Sequence, residues 1–172
     1  MQLAQILDVF EGLFLASDHP DIVKVERYGK DVSPGGNSPA GVRVKHGTGS
    51  EAYLWGAVHP GAKPIPIPDV LPAPRYRAPR IAILAVQLLD AARPSEFRTW
   101  QLVAFSDLGH ERGVTPMGVN VVCNDGTAML LRATAGSGPA GDPAEDPCPD
   151  YRIPEVVKEW HLRVNAQSAA PA

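Results

Sequence analysis

Hydrophobic and polar residues follow two periods along this chain, and the periods predict its first helix and first strand. Between residues 3 and 14 the apolar residues recur every three or four positions, which is the spacing of a helix with one buried face. Residues 22–28 alternate instead, with Val23 and Val25 on one side and polar side chains on the other. We therefore expect an amphipathic helix followed by a strand.

Two similar stretches, residues 38–58 and residues 115–134, have the pattern of a β-hairpin. Each contains an alternating strand, a turn with glycine, and a second strand. A helical pattern and a strand pattern precede each stretch, which favours a tandem duplication of a helix–strand–strand–strand unit. With one residue dropped from the first stretch, the paired residues are Gly41 with Gly118, Val44 with Val121, Ala52 with Ala128 and Leu54 with Leu130.

The segments around the second hairpin differ sharply in composition. Residues 59–79 contain seven prolines and predict an extended, proline-rich connector between the two units. Residues 80–94 are apolar on nearly every face and predict a buried central helix. Residues 136–150 are rich in glycine, proline and acidic residues and predict a mobile loop that is too polar to pack. We expect a last helix at residues 151–165, before a frayed tail at residues 166–172.

Together these patterns predict an α+β fold. Two helix–strand–strand–strand units, at residues 1–58 and 80–135, form one pseudo-symmetric domain with an antiparallel sheet of about six strands. The helices are expected to pack on one face of this sheet, with a third helix at the C-terminus.

The two hairpins differ on the side that is predicted to face away from the helices. In both, alternate residues form an apolar core face, which in the second hairpin includes Ala128 and Leu130. The opposite face of the second hairpin carries Asn120, Val122, Met129 and Leu131. In the first hairpin the opposite face carries Arg43, Lys45, Glu51, Tyr53 and Trp55.

Arginine beside tryptophan and tyrosine is the usual composition of a protein-interface hot spot. We therefore predict that Arg43, Lys45, Tyr53 and Trp55 form an interaction surface for a protein partner or a second copy of the chain. One alternative is an ordinary solvated sheet face with cross-strand pairs such as Lys45 with Glu51. An anionic or aromatic ligand is another.

Composition and charge narrow the class of protein. The chain has 172 residues and a net charge of −3, which does not favour binding to nucleic acid or to an anionic membrane. Residues 1–17 lack the basic start of a signal peptide, and no apolar run is long enough to span a bilayer. Cys123 and Cys148 have no metal-ligand spacing. We expect a cytoplasmic protein with two free thiols, no metal and no cofactor.

Two weaker patterns leave an enzyme open as the alternative. His46 and Cys123 precede the turns of the two hairpins, and a thiol beside an imidazole is a candidate nucleophile. The ionisable residues Asp107, His110, Glu111 and Arg112 are clustered in one loop and offer a candidate acid–base site. The motifs of phosphate-binding loops, zinc proteases and nucleophile elbows are absent from the sequence.

Two further hypotheses concern charge. Lys24, Arg43 and Lys45, together with the basic residues of the connector, could bind nucleic acid, although this is not favoured. The acidic run of Asp142, Glu145, Asp146 and Asp150 could fold back onto the basic residues Arg75, Arg77 and Arg80. Overall, the sequence favours a non-enzymatic, cytoplasmic protein-interaction or regulatory module.

Overall fold

The computed structural model describes residues 1–33, 35–58, 61–105, 116–138 and 141–160. These residues form three helices and one seven-stranded sheet. The helices are α1 (Leu3–Ala16), α2 (Arg77–Ala92) and α3 (Glu155–Lys158). The strands are β1 (Ile22–Tyr28), β2 (Gly41–His46), β3 (Glu51–Ala57), β4 (Ala62–Pro64), β5 (Phe97–Phe105), β6 (Met117–Cys123) and β7 (Ala128–Gly136), and a 3-10 turn (Gly29–Asp31) follows β1.

The sheet is open and antiparallel throughout, with the strand order β1-β2-β3-β7-β6-β5-β4. The predicted α+β class is confirmed. The sheet has one strand more than the six that we expected. The additional strand is β4, which comes from the proline-rich connector and pairs with β5 at the edge of the sheet. Pro64 is tolerated there because an edge strand does not need every backbone donor.

One hydrophobic core joins α1 and α2 to alternate residues of the strands. It contains Phe10 and Phe14 of α1, Leu88 and Leu89 of α2, and strand residues such as Val42, Leu54, Val121 and Leu131. The predicted central helix is confirmed, since twelve residues of α2 are buried. It begins earlier than predicted, because Pro79 lies in its first turn, where the missing N–H costs no helical hydrogen bond.

The two hairpins have the same register, and the alignment with a dropped residue is wrong. Val42 lies opposite Leu54 in the first hairpin, and Val119 lies opposite Leu131 in the second. Leu131 is therefore the core residue, fully buried, whereas Leu130 lies on the other side of the sheet. A shift of one residue turns every side chain of a strand to the opposite face.

The predicted faces of β7 are consequently reversed. Ala128 is exposed instead of buried, and Met129 packs against the core instead of facing away from it. The side of the second hairpin that faces away from the core carries Asn120, Val122, Leu130 and Arg132. This side is thus more polar than predicted.

Residues 141–150, which we call the acidic segment, are not the unpacked loop that their composition predicts. The Asp142 side chain is only 8% exposed, and it is paired with Arg77. Beyond the segment, the Tyr151 hydroxyl donates to the carbonyl oxygen of Ser17 at 2.7 Å, and Val157 of α3 is fully buried. The prediction from composition was wrong because the arginines that pair with Asp142 and Asp146 are distant in the chain.

The predicted C-terminal helix is present in its described part as α3. The rest of the prediction, from residue 161 onwards, lies outside the described residues. Across the described ranges, the structure contains no helix with the length and apolar character needed to cross a bilayer.

Candidate functional site

The four predicted interaction residues lie together on the side of β2 and β3 that faces away from the core. Arg43 pairs with Tyr53, Lys45 pairs with Glu51, and Trp55 pairs with Gly41. Their alternation with buried residues such as Val44 and Leu54 fixes this side. We call Arg43, Lys45, Tyr53 and Trp55 the outer-face patch; all four side chains are partly exposed.

Two carboxylates lie among the cations of the outer-face patch. Arg43 donates to Glu26 of β1, and the Lys45 ammonium lies 3.8 Å from Glu26 and 3.6 Å from Glu51. The predicted Lys45–Glu51 pair is therefore confirmed. Hydrogen bonds from Lys24 and Arg43 lower the pKa of Glu26 to about 2, so this carboxylate is ionised at neutral pH.

The aromatic residues of the patch are held by their neighbours. The rings of Tyr28 and Tyr53 meet edge to face with their centroids 5.2 Å apart. The Trp55 indole donates to Thr134 at 3.1 Å, and the Arg132 guanidinium lies 5.9 Å from the Trp55 ring. These contacts restrict the side chains of the outer-face patch.

Two glycines allow this close packing, one in each hairpin. A Cβ on Gly41 would lie 2.6 Å from the Tyr28 ring and 2.7 Å from the Leu54 carbonyl oxygen. A Cβ on Gly118 would lie 3.1 Å from the Phe105 ring and 2.3 Å from a backbone oxygen of β7. In both hairpins, therefore, only glycine lets an aromatic ring lie over the strand.

A second group of polar residues surrounds the first turn of α2, and we call Arg77, Arg80 and their partners the arginine cluster. One oxygen of Asp142, Oδ1, accepts hydrogen bonds from Thr48 (2.7 Å), Ser50 (2.8 Å) and Arg77 (2.8 Å). Arg77 also donates to Asp21 and, through Nε, to Ser50 at 3.0 Å. Its side chain is 2% exposed.

Arg80 binds the acidic segment one helical turn further on. Its two terminal nitrogens donate to the two oxygens of Asp146 at 3.0 and 3.1 Å, which is the bidentate geometry that suits a guanidinium. It also donates to the carbonyl oxygen of Pro72 at 2.6 Å. The hypothesis that the acidic run folds onto the basic residues is confirmed for Arg77 with Asp142 and for Arg80 with Asp146.

The local structure explains why these groups meet. Gly49 has a φ of 83°, a left-handed conformation that glycine adopts easily, and it closes the turn that presents Thr48 and Ser50. The first turn of a helix carries partial positive charge, so two arginines there need nearby anions. Asp21, Asp142 and Asp146 supply them.

Several ionisable side chains of the arginine cluster have a pKa below the ordinary value. Burial alone would raise the pKa of Asp21, but the neighbouring His46 and Arg77 lower it well below its usual range. For Asp142, burial is likewise outweighed by hydrogen bonds from Arg77, Thr48 and Ser50, which lower its pKa. Burial and the charge of Arg80 lower the pKa of His19.

His46 lies at the inner end of the arginine cluster. It is 6% exposed, and within the described part of the chain neither ring nitrogen has a hydrogen-bond partner, although Nδ1 lies 3.4 Å from Asp21. The ring lines a cavity of about 10 Å³ together with His19, Arg77 and Arg80. A cavity of this volume holds about one water molecule.

The structure does not bring His46 and Cys123 together. Their strands, β2 and β6, are three positions apart in the sheet, or about 14 Å, and run in opposite directions. Both residues end their strands, so they lie at opposite ends of the sheet. Burial also raises the pKa of the Cys123 thiol, which disfavours the nucleophilic thiolate.

The second catalytic candidate, the loop with Asp107, His110, Glu111 and Arg112, lies outside the described residues. Within the described part of the chain, no group of three or more metal-ligating side chains is close enough to hold an ion.

Sequence reasoning missed most of the arginine cluster. It paired the acidic run with the basic residues, but it gave no role to His19, Asp21, Thr48 or Ser50. One signal was available: two arginines in the first turn of an otherwise apolar helix require anionic partners.

Comparisons with protein-family models, with characterised proteins and with solved structures found no match for this chain.

Proposed function

We propose that the protein is a non-enzymatic interaction module whose outer-face patch binds a stretch of acidic residues in a partner protein. The observation that carries the proposal is the combination on one sheet face of Arg43 and Lys45 with the part-exposed rings of Tyr53 and Trp55. Buried arginine and aromatic side chains dominate the energetics of protein interfaces.

Charge favours an acidic partner over nucleic acid or a second identical patch. Four cations lie on this side of the sheet, namely Lys24, Arg43, Lys45 and Arg132, beside the two carboxylates of Glu26 and Glu51. Two basic patches would repel each other across a symmetric dimer interface. Glu26 and Glu51 leave only a small excess of positive charge on this face, which suits a short acidic stretch of a protein better than the long phosphate backbone of nucleic acid.

We further propose that the chain arose by duplication of a helix–strand–strand–strand unit and that the two copies diverged on the outer face. The support is the shared register of the hairpins, with Gly41 opposite Trp55 and Gly118 opposite Arg132. In this account the helices lie on the other side of the sheet and leave the outer face for partners. The free thiols of Cys123 and Cys148 fit a reducing compartment such as the cytoplasm.

Site-directed photo-crosslinking tests the interaction. A photoreactive phenylalanine analogue at position 53 should crosslink to one partner in cells, and the same analogue at the 78%-exposed position of Val70 should not. The captured protein is then purified and titrated against the wild type and the variant Tyr53→Ser/Trp55→Ser. We expect an affinity loss of at least tenfold in the variant, with an unchanged circular dichroism spectrum.

Either of two results would contradict the proposal. One is equal crosslinking from positions 53 and 70. The other is unchanged affinity of the double variant for the purified partner. Light scattering of the purified protein identifies a second copy as the occupant if the mass doubles with concentration and the double variant stays monomeric.

A further inference from the structure

The most unusual chemistry of this protein lies in the arginine cluster, away from the outer-face patch. Three donors converge on a single oxygen of Asp142, and a bidentate arginine holds Asp146. Guanidinium groups combined with serine and threonine hydroxyls are the donor set that proteins use for phosphate. Here the acidic segment of the same chain occupies those donors.

The donors are built into rigid elements of the fold. Arg77 and Arg80 are three residues apart in α2, so their side chains leave the same face of the helix. Thr48 and Ser50 are fixed by the tight turn between β2 and β3. The anions come from less regular parts of the chain: Asp21 lies in the turn before β1, and Asp142 and Asp146 belong to the acidic segment, which has no regular structure.

A second observation points to a ligand. His46 is buried, and neither of its nitrogens has a hydrogen-bond partner among the described residues. It lines a cavity together with Asp21, which lies 3.4 Å from Nδ1, and both arginines. A buried polar group without a partner is costly, and native proteins rarely retain one. An oxyanion bound beside Arg77 would give the imidazole N–H an acceptor.

The attachment of the acidic segment is slight compared with its length. Seven of its ten residues are exposed. Among the described residues, its polar contacts with distant parts of the chain are those of the two carboxylates and one backbone hydrogen bond, from Arg75 to the carbonyl oxygen of Pro143. Arg77 and Arg80 already donate to these carboxylates, so an external anion can take the same donors only if the carboxylates leave. Binding and release of the segment are therefore linked.

We propose that the arginine cluster is a binding site for a dianionic phosphate group and that Asp142 and Asp146 occupy it in cis. The two carboxylates carry the same total charge as the phosphate dianion that would replace them. An external phosphate ligand thus competes with the acidic segment. The segment acts as a built-in competitor that sets the apparent affinity.

Removing the competitor tests the site. In Asp142→Ala/Asp146→Ala, inorganic phosphate should raise the melting temperature by roughly 3–6 °C at about ten times its dissociation constant, compared with sodium chloride of equal ionic strength. The matched control is Glu145→Ala/Asp150→Ala, which removes the same charge from exposed positions of the same segment. It should respond no more than the wild type. Adding Arg77→Gln to the first variant should abolish the gain.

Two further measurements complete the test. One identifies the anion, and the other applies if the double variant does not fold. Succinate in place of phosphate distinguishes a dicarboxylate from a phosphate ligand; an equal shift with succinate would overturn the assignment to phosphate. In the wild type, the Cys148 amide donates to Asp146 at 2.9 Å, so phosphate should speed hydrogen exchange at Cys148 severalfold. If the double variant does not fold, unchanged exchange at Cys148 overturns the proposal. If the double variant folds, the absence of a phosphate-specific rise in its melting temperature overturns the proposal.

Discussion

Arg132 of β7 lies directly opposite Trp55 of β3, and its guanidinium stands 5.9 Å from the indole ring. The same guanidinium lies 5.7 Å from the ring of Phe105. One cation therefore links Trp55 of the first hairpin to Phe105 of β5 across the centre of the outer face. This contact joins the half of the sheet that carries the outer-face patch to the half that does not.

We expect Arg132→Met to lower the free energy of unfolding by about 1 kcal/mol, since methionine keeps part of the aliphatic packing and loses the cation–π interaction. The measurement is urea denaturation followed by circular dichroism. Arg98→Met, at an exposed position of β5, is the matched control and should change the stability by less than about 0.5 kcal/mol. Equal effects of the two changes would show that the position of Arg132 over the rings contributes nothing.

Replacing the buried arginine should have a much larger effect. Arg77→Met leaves the carboxylates of Asp21 and Asp142 without their cation, and breaking a buried ion pair in this way costs about 3–5 kcal/mol. The exposed Arg75, two residues earlier, provides the control as Arg75→Met. A urea midpoint for Arg77→Met that matches the control would mean that the carboxylates find other partners.

The close approach of aromatic rings to Gly41 and Gly118 predicts a matched pair of effects. Alanine at either position forces a Cβ against a backbone oxygen, and such overpacking costs about 1–3 kcal/mol. Gly136→Ala is the control, because no atom of the described residues lies within 4 Å of a Cβ there. Thermal unfolding of the three variants checks the prediction, which fails if Gly136→Ala is the most destabilising.

His19 makes the stability depend on pH in a defined direction. Its imidazole faces Arg80, Asp21, Asp146 and His46, and it packs against the tilted ring of Tyr151 with ring centroids 4.3 Å apart. Burial and the charge of Arg80 lower its pKa below the ordinary value of 6.5. The unfolded chain therefore takes up this proton first as the pH falls.

The free energy of unfolding should thus decrease as the pH falls below 6.5 towards the lowered pKa of His19. The carboxylates Asp21, Asp142 and Asp146 have pKa values below their ordinary 3.8, so their contribution is lost only in stronger acid. Denaturation curves of wild type and His19→Gln between pH 7 and about 4.5 separate the two effects. We expect a shallower pH dependence in the variant; parallel curves would exclude His19 as the titrating group.

The two thiols should differ in reactivity. Cys123 is 1% exposed and burial raises its pKa, whereas Cys148 is partly exposed in the acidic segment. Alkylation of the native protein should modify Cys148 at least tenfold faster, and urea should remove the difference. Peptide mass spectrometry identifies the labelled cysteine. Comparable rates in the native protein would contradict the burial of Cys123.

The local patterns of the sequence predicted the elements well, because each reports short-range chemistry. Strand β1, the two hairpins and the apolar helix α2 all lie within a few residues of their predicted ranges. The predicted alternation fails at the start of β1, where a register shift after Ile22 leaves Val23 65% exposed. The outer-face patch was likewise grouped correctly, since residues two apart in a strand share a face. The faces of β7 were reversed by a gap of one residue, which periodicity alone could not exclude.

Long-range contacts account for what was missed. Arg77 and Asp142 are 65 residues apart, and their pairing depends on the complete fold. The acidic segment has the composition of a solvated loop, yet two of its carboxylates supply the anions that α2 requires. Strand β4 was not predicted, because its proline argues against a strand in the interior of a sheet. At the edge of the sheet, where β4 pairs with β5, a proline is tolerated.

The pairing of β3 with β7 at the centre of the sheet has a consequence for synthesis on the ribosome. The inner edge of β3, Glu51–Ala57, is completed only by residues 130–136, so it has no partner while roughly eighty further residues are translated. Its backbone donors and acceptors form an open template during that interval, next to the apolar side chain of Leu54. The nascent first half is thus the stage at which this chain is most exposed to aggregation and to capture by chaperones.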